Sequence, residues 1–474
     1  SVIELIGRAQ EPDGYFNTYF ILKEPGQRFR NLREGHELYT LGHMIEAAVA
    51  YKRATGEKRF LEIVQKMADL VANTFGVEEG KRMGMPGHQE IELALMKLYE
   101  ETGKESYKEL AKYFIDVRGC GNRNYFLEEM KQKDVKRIFP ELNDYRPEYS
   151  QSHLPVRKQR TAEGHAVRAV YMYAAMADIA AEYDDEELLG ACETLWNNMV
   201  HRRMYVTGGI GSSGILERFT ADYDLPNDYN YCESCASIGL AFFARRMMQI
   251  TKKAKYVEVM ERALYNTVLA GIAMDGKSFF YVNPLEVWPP SCMERTSKEH
   301  VKSVRQKWFG VACCPANISR TLASLGEYIY ACEKDTIYVN LFIGNETQIT
   351  VGEQKVHLSL ETDFPWKNQF KINVSGVKES VQLAVRIPEY AQDYKIFCEG
   401  REQFYKEKDG YAYITCEKNG RYEVQFVSEP RFVRANPKVR ADEGKVCVMW
   451  GPLVYTVEET DNGENLQALY IDTA

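Results

Sequence analysis

The 474-residue sequence predicts a mainly α-helical first part, residues 1–334, followed by an all-β second part, residues 335–474. Three observations carry this. Apolar residues recur at helical spacing up to about residue 332, they alternate at period two from about 336, and charged, glycine-containing turns cut the helical stretch into pairs.

Val2-Ile3-Glu4-Leu5-Ile6 already reads as helix. Long apolar-periodic runs near 37–54, 88–102, 165–182, 230–250 and 315–332 then alternate with runs near 58–75, 104–117, 185–203 and 254–271. Ala54-Thr55-Gly56-Glu57-Lys58 and Glu101-Thr102-Gly103-Lys104 separate the first two pairs. With the opening helix this makes about ten helices. Long helices alternating in hairpins form either an α-solenoid or a closed toroid of six hairpins. The chain opens inside a helix-like run without a methionine, so it reads as a fragment. Two further N-terminal helices would complete a twelve-helix barrel, and whether a signal peptide precedes them stays open. Beyond 336, Thr336-Ile337-Tyr338-Val339-Asn340-Leu341-Phe342-Ile343 is a strand run. Val356–Leu360, Val381–Ile387 and Tyr411–Cys416 alternate, with Asp409-Gly410 and Asn419-Gly420 as turns. Short strands at this spacing predict an antiparallel sandwich, serving as a supporting domain.

Composition narrows the function. A net charge of −8 argues against nucleic acid or an anionic membrane as partner. No apolar run is long enough to span a bilayer. Eleven cysteines, an odd count without scaffold spacing, fit a reducing, cytoplasmic location. An aromatic content of 12% suits a sugar-stacking cleft as well as an aromatic core.

The chemistry concentrates at the starts of the longer helices. Gly35-His36-Glu37, Gly87-His88-Gln89 and Gly164-His165-Ala166 each precede an apolar run; the fourth run carries Glu233-Ser234-Cys235, and the fifth opens with Cys313-Cys314-Pro315. The openings lie between 52 and 80 residues apart, enough for one up-and-down helix pair each. If alternate helices run parallel, all five openings share one end of the bundle. Glu233, Cys235, Cys313 and Cys314 supply three thiols and one carboxylate, a set a tetrahedral zinc takes. The absence of paired C-x-x-C ligands and the presence of a glutamate suit a site that frees a ligand for chemistry better than a closed staple. A thiolate at a helix N-terminus is also acidified by the helix dipole, and Pro315 is read as the first helical residue. Cys120, Cys192, Cys292, Cys332, Cys398, Cys416 and Cys447 lack partners at metal spacing and read as buried thiols, and Cys232 as packing. His43, His153, His201, His300 and His357 read as structural. The glycine loop Tyr205–Ser212 lacks phosphate-loop context and reads as a cleft lining, with Glu217 available for sugar hydroxyls. Phe280-Tyr281-Val282-Asn283-Pro284 is an aromatic insertion ahead of the cysteine pair.

These residues resemble glycoside hydrolase family 127, the β-L-arabinofuranosidases. The pieces that carry the resemblance are Gly35-His36-Glu37-Leu38-Tyr39 with Gly42-His43, Pro86-Gly87-His88-Gln89-Glu90, Gly164-His165-Ala166-Val167-Arg168 and Thr207-Gly208-Gly209-Ile210-Gly211. They continue with Tyr223-Asp224-Leu225-Pro226-Asn227, Glu233-Ser234-Cys235-Ala236 and Ala312-Cys313-Cys314-Pro315. The resemblance implies an (α/α)6 barrel, here N-terminally incomplete, followed by a β-sandwich. It implies a retaining glycosidase in which Cys313 is the nucleophile and Glu233 the general acid and base. Zn2+ would be held by Glu233, Cys235, Cys313 and Cys314, and His36, His88, His165, Glu217 and Tyr281 would bind the furanose hydroxyls. The substrate implied is a plant-type arabinoside or arabino-oligosaccharide, and a homodimer is carried as the candidate assembly. Cys232 stands where the family more often has a small residue, and members usually extend beyond both ends of this chain.

Two other classes compete. A sugar epimerase or isomerase would use His88 and His165 as proton-transfer partners without metal. A non-catalytic carbohydrate-binding protein would use zinc only as a folding staple.

Overall fold

A computed structural model describes residues 1–473, which group into two compact units: Ser1–Arg203 with Ser213–Asp222, and Met204–Ser212 with the chain from Tyr223 onward. This division falls inside the helical part, not at its end.

The first unit contains α1 (Val2–Ala9), α2 (Thr18–Leu22), α3 (Glu37–Thr55), α4 (Arg59–Thr74), α5 (Ile91–Thr102), α6 (Glu105–Val117), α7 (Tyr125–Met130), α8 (Ala166–Glu182) and α9 (Glu186–Arg202). α3 pairs with α4, α5 with α6 and α8 with α9, while α3 packs on α5 and α5 on α8. The first helix of each hairpin therefore lies beside the first helix of the next. The predicted turns end α3 and α5 at Gly56 (φ +78°) and Gly103 (φ +69°), a left-handed backbone that glycine adopts without a Cβ penalty. α8 is buried from Ala166 through Ala177 without an exposed stripe, so it is enclosed by its neighbours.

The second unit holds α10 (Ser234–Thr251), α11 (Ala254–Ala263) with a π-helical continuation over Leu264–Leu269, α12 (Cys313–Ala323) and α13 (Gly326–Ile329). Its strands are β1 (Tyr330–Glu333), β2 (Thr336–Val339), β3 (Asn345–Val351), β4 (Gln354–Thr362), β5 (Gln369–Ser375), β6 (Val381–Arg386), β7 (Gln392–Cys398), β8 (Arg401–Glu402), β9 (Lys406–Lys408), β10 (Tyr411–Cys416), β11 (Gly420–Val427), β12 (Arg431–Val433), β13 (Cys447–Trp450) and β14 (Leu453–Tyr455). One sheet runs β1-β2-β6-β10-β9 and a second runs β3-β4-β5-β11-β7-β8. Val339, Leu383 and Ile414 from the first and Leu358, Ile372 and Val424 from the second share one apolar core, as inward faces of two packed sheets do. β12-β13-β14 form a small third sheet.

Arg386, at the end of β6, is fully buried. It donates to Glu258 Oε1 at 2.7 Å, ion-pairs with Glu261 and donates to the Asn340 carbonyl at 2.7 Å. Burial pushes the Glu258 carboxyl up to about 7, opposed by the guanidinium. The two glutamates lie on α11, so a strand of the sandwich is tied to a helix of the same unit.

The structure corrects several expectations. The run near 315–332 ends as helix at Ile329, and Tyr330–Glu333 is strand, because its apolar residues pair with β2. The sandwich is not wholly antiparallel: β2 and β6 are parallel. Helix α12 starts at Cys313, so Pro315 is its third residue. Cys120 and Cys332 are exposed, not buried. Among the described residues no helix is long and apolar enough to cross a membrane.

Candidate active site

The three Gly-His pairs share a local cause. A Cβ on Gly87 would sit 2.3 Å from the Arg33 carbonyl oxygen. On Gly164 (φ +71°) it would sit 1.9 Å from that of Glu148. Glycine lets the loops press together there, and the histidine that follows is held at the mouth of its helix. The result is an imidazole row in the first unit, with His36 and His88 5.8 Å apart and His88 and His165 5.4 Å apart between ring centroids.

The hydrogen bonds set the tautomers. His36 Nδ1 donates to the Glu34 carbonyl at 2.6 Å and His88 Nδ1 to the Gln89 carbonyl at 2.8 Å. A neutral ring so bonded keeps Nε2 as an acceptor. Burial, aided by the nearby Arg168 guanidinium, lowers His36 to about 4 and drives His88 well below the ordinary imidazole range. Both are therefore neutral near pH 7. His165 differs: Nδ1 accepts from the Arg168 amide at 3.4 Å, and Nε2 lies 2.7 Å from Glu217 Oε2. Glu217 follows Leu216, and both take left-handed backbone angles at the turn that delivers the carboxylate.

The second cluster lies in the second unit. Glu233 is the residue before α10 and Cys235 its second residue; Cys313 and Cys314 open α12. The helices pack together. Cys313 Sγ is 3.4 Å from Glu233 Oε1, Cys314 Sγ is 3.5 Å from the same oxygen, Cys235 Sγ is 3.4 Å from Cys314 Sγ, and the Cys313 and Cys314 sulfurs are 4.0 Å apart. All four ligand atoms lie within 4.8 Å of one another. A tetrahedron with zinc–sulfur bonds of about 2.3 Å and a zinc–oxygen bond of about 2.1 Å has edges of about 3.8 Å (S–S) and about 3.6 Å (S–O). The donor set and its spacing fit a metal ion of that kind.

Tyr281 completes the cluster. Its segment is stitched to the start of α10: Ser234 N donates to the Tyr281 carbonyl at 3.0 Å, Ser234 Oγ to the Phe280 carbonyl at 2.9 Å, and Asn283 N to the Cys232 carbonyl at 3.0 Å. This puts Tyr281 Oη 2.8 Å from Cys313 Sγ. Hydrogen bonds from Cys235 and Cys314, then from Tyr281, pull the Cys313 thiol far below its ordinary value. Burial pushes Cys235 and Cys314 up. Of the three thiols, Cys313 is the one whose surroundings favour the charged form. Cys232 is buried against Gly209, consistent with packing.

All nine predicted site residues fall into these two clusters: His36, His88, His165 and Glu217 in the first, and Tyr281, Glu233, Cys235, Cys313 and Cys314 in the second. Two residues of α3 border this row: the Tyr39 ring lies 4.4 Å from His88, and His43 Nδ1 is 3.2 Å from Glu90 Oε1. His43, Glu46 and Glu90 also form a ligand-like trio, but Lys97 ion-pairs with Glu46, so its charge is already matched within the protein.

The chain is similar to known proteins along its whole length. The model of the β-L-arabinofuranosidase GH127 catalytic domain matches residues 1–327, that of the GH127 middle domain residues 336–428, and that of the family 127 C-terminal domain residues 430–474. A non-reducing end β-L-arabinofuranosidase of Bifidobacterium longum is 41% identical over 98% of this chain and 72% of its own length. The crystal structure of Ara127N-Se, a GH127 β-L-arabinofuranosidase from Geobacillus stearothermophilus T6, superposes with a TM-score of 0.94 at 50% identity, covering 98% of this chain and 73% of that one. The GH127 β-arabinofuranosidase BT3674 gives a TM-score of 0.84 at 38% identity, covering 96% and 70%. The chain belongs to glycoside hydrolase family 127.

Proposed function

We propose that this protein is a non-reducing end β-L-arabinofuranosidase that releases L-arabinose with retention of configuration, using Cys313 as nucleophile and Glu233 as acid and base. The observation that carries the proposal is a half-buried sulfur at a helix N-terminus, 3.4 Å from a carboxylate and 2.8 Å from a phenol. A sulfur so placed is ionised and aimed, which is what a nucleophile requires.

The first displacement forms a bond from Cys313 Sγ to the anomeric carbon while the glycosidic C–O bond breaks. The Glu233 carboxyl, freed from ligation and protonated for this step, gives its proton to the departing oxygen. In the second, the Glu233 carboxylate takes a proton from water, the water oxygen bonds to the same carbon, and the C–S bond breaks to restore the thiolate. Two inversions give net retention. Three thiols with one carboxylate favour zinc as the metal held by Glu233, Cys235, Cys313 and Cys314, and bound zinc would help keep the sulfur ionised. His36 and His88, neutral and with Nε2 open as acceptors, suit furanose hydroxyl donors. His165 sets Glu217 to accept another.

The same reading places these residues in an N-terminally incomplete (α/α)6 barrel over 1–334, with a sandwich domain over 335–474. Eleven cysteines, an odd count without disulfide-scaffold spacing, support a cytoplasmic location. The depressed imidazole of His88, one member of the His88–His165 pair that an isomerase would use, favours recognition over proton shuttling. The test is Cys313→Ala assayed on an aryl β-L-arabinofuranoside. Turnover vanishes while circular dichroism is unchanged; retained turnover removes Cys313 as nucleophile.

A further inference from the structure

Arg168 is a cation where electrostatics disfavours one. It is the third residue of α8, 2% exposed, at the positive end of the helix dipole. Among the described residues it forms no ion pair. A buried charge without a counter-charge is costly, and a local rule broken in this way is expected at a functional position.

Its bonds show what the side chain holds. Nη1 donates to the Gly87 carbonyl at 2.5 Å, one residue before His88, and to Ser150 Oγ at 3.2 Å. The guanidinium carbon stands 4.4 Å from the centre of the Tyr149 ring. Tyr149 in turn supports His165: its carbonyl accepts the His165 amide at 3.2 Å, and the two rings lie 5.7 Å apart. One side chain thus joins the loop that carries His88 to the loop that holds His165. Other charges near the row are matched. Arg118, just past α6, meets Glu92 at 3.3 Å, Glu217 lies 2.7 Å from His165, and Glu34 beside His36 is ion-paired with Arg33.

We propose that Arg168 is a positioning residue for recognition of the terminal sugar, its guanidinium setting the separation of His88 and His165 so that both rings meet one ligand. This rests on the glycosidase reading above. The charge has a second effect. A fixed cation near His36 and His88 opposes their protonation, adding to burial, so their Nε2 atoms stay acceptors. A lysine would keep the charge but lose the flat group that stacks on Tyr149 while bonding Gly87. Substitution therefore separates the two effects.

The experiment reads the imidazoles and the kinetics together. Heteronuclear NMR of the histidine ring nitrogens follows protonation as the pH is lowered. The His36 midpoint, about 4 in the wild type, rises by about one pH unit in Arg168→Met and stays near its wild-type value in Arg168→Lys. On an aryl β-L-arabinofuranoside KM rises roughly tenfold in Arg168→Met and less in Arg168→Lys, with kcat within about threefold of wild type. An unmoved midpoint in Arg168→Met, or KM unaltered in both variants, overturns the proposal. So does a fall in kcat at constant KM, which a mere loss of folded protein gives. Should Arg168→Met fail to fold, Ser150→Ala removes one bond of the guanidinium and leaves its charge: KM rises while the His36 midpoint holds, and an unchanged KM overturns the proposal. Calorimetric titration of Cys313→Ala with methyl β-L-arabinofuranoside, with and without Arg168→Lys, separates this from failure of the glycosidase reading. Binding weakened by Arg168→Lys in a protein whose wild type hydrolyses no arabinofuranoside upholds the positioning and sinks the hydrolysis. Binding indifferent to Arg168 sinks the positioning, and binding to neither protein sinks both.

Discussion

The phenol of Tyr281 meets the sulfur of Cys313 at 2.8 Å, the shortest of the contacts around that sulfur. Tyrosine donates here, because the thiolate is the charge-bearing partner. A hydrogen bond to a charged group contributes about 1.5 to 3 kcal/mol. Tyr281→Phe therefore lowers kcat roughly 10- to 100-fold. It also slows alkylation of Cys313 by iodoacetamide at pH 7. Unchanged kcat in steady-state assays would remove this bond from the reaction.

The four-ligand cluster predicts one metal ion per chain. Inductively coupled plasma mass spectrometry should find it as zinc in the purified protein and lose it in Cys235→Ser and Cys314→Ser. Chelation abolishes activity while far-UV circular dichroism keeps the helical signal. A melted helical signal on chelation would favour the staple reading.

The imidazoles His36 and His88 are neutral well into the acid range, which makes a statement about pH. His88→Gln lowers kcat/KM roughly a hundredfold by removing a buried hydrogen-bond partner of the sugar. It leaves the shape of the pH profile intact between 5 and 8, since His88 gains its proton only well below 6.5. Stability has a sign too. Because the folded imidazole is depressed, its contribution is complete above 6.5 and is lost as pH falls toward the folded value. Denaturant melts should therefore show wild type losing more stability than His88→Gln between pH 6.5 and 5. A profile limb near neutrality that disappears in His88→Gln would instead assign it proton transfer.

Gly164 and Gly56 make a matched pair for backbone strain. Both have positive φ, but a Cβ on Gly56 meets nothing within 4 Å, whereas on Gly164 it strikes the Glu148 carbonyl at 1.9 Å. Gly56→Ala costs about 1 kcal/mol, the left-handed penalty alone. Gly164→Ala costs more, roughly 3 kcal/mol or above, because the loop carrying His165 must move. Thermal melts give both numbers, and KM on an aryl β-L-arabinofuranoside rises only in Gly164→Ala. Equal costs would show that the loops are not in contact there.

Much of this was legible in the residues. Gly56 and Gly103 end α3 and α5 where their turns predicted, and the helix pairs fall at the expected places because amphipathic periodicity is strong in long helices. Legibility stopped where long-range contacts decide. Tyr330–Cys332 continues the apolar pattern of α12 and looks helical, yet pairing with β2 makes it strand. The parallel pairing of β2 with β6 joins residues far apart in sequence and leaves no local mark. In the site, Glu233 and the cysteines were visible from chemistry alone. Tyr281 sits in an aperiodic loop: its aromatic stretch stood out in the residues, and likeness to a family supplied its role. His43, read as structural, pairs with Glu90, a partner that nothing local announces.

Arg386 also bears on how the chain can be divided. It is the cation between two submerged glutamates of α11, and it arrives from a strand more than a hundred residues later. A protein ended at the last helix would strand Glu258 and Glu261 as neighbouring acids without a counter-ion, and protonation or local unfolding would follow. The C-terminal sheets are then a requirement for α11, on which the Cys235-bearing α10 packs, and efforts to express a minimal hydrolase should keep them.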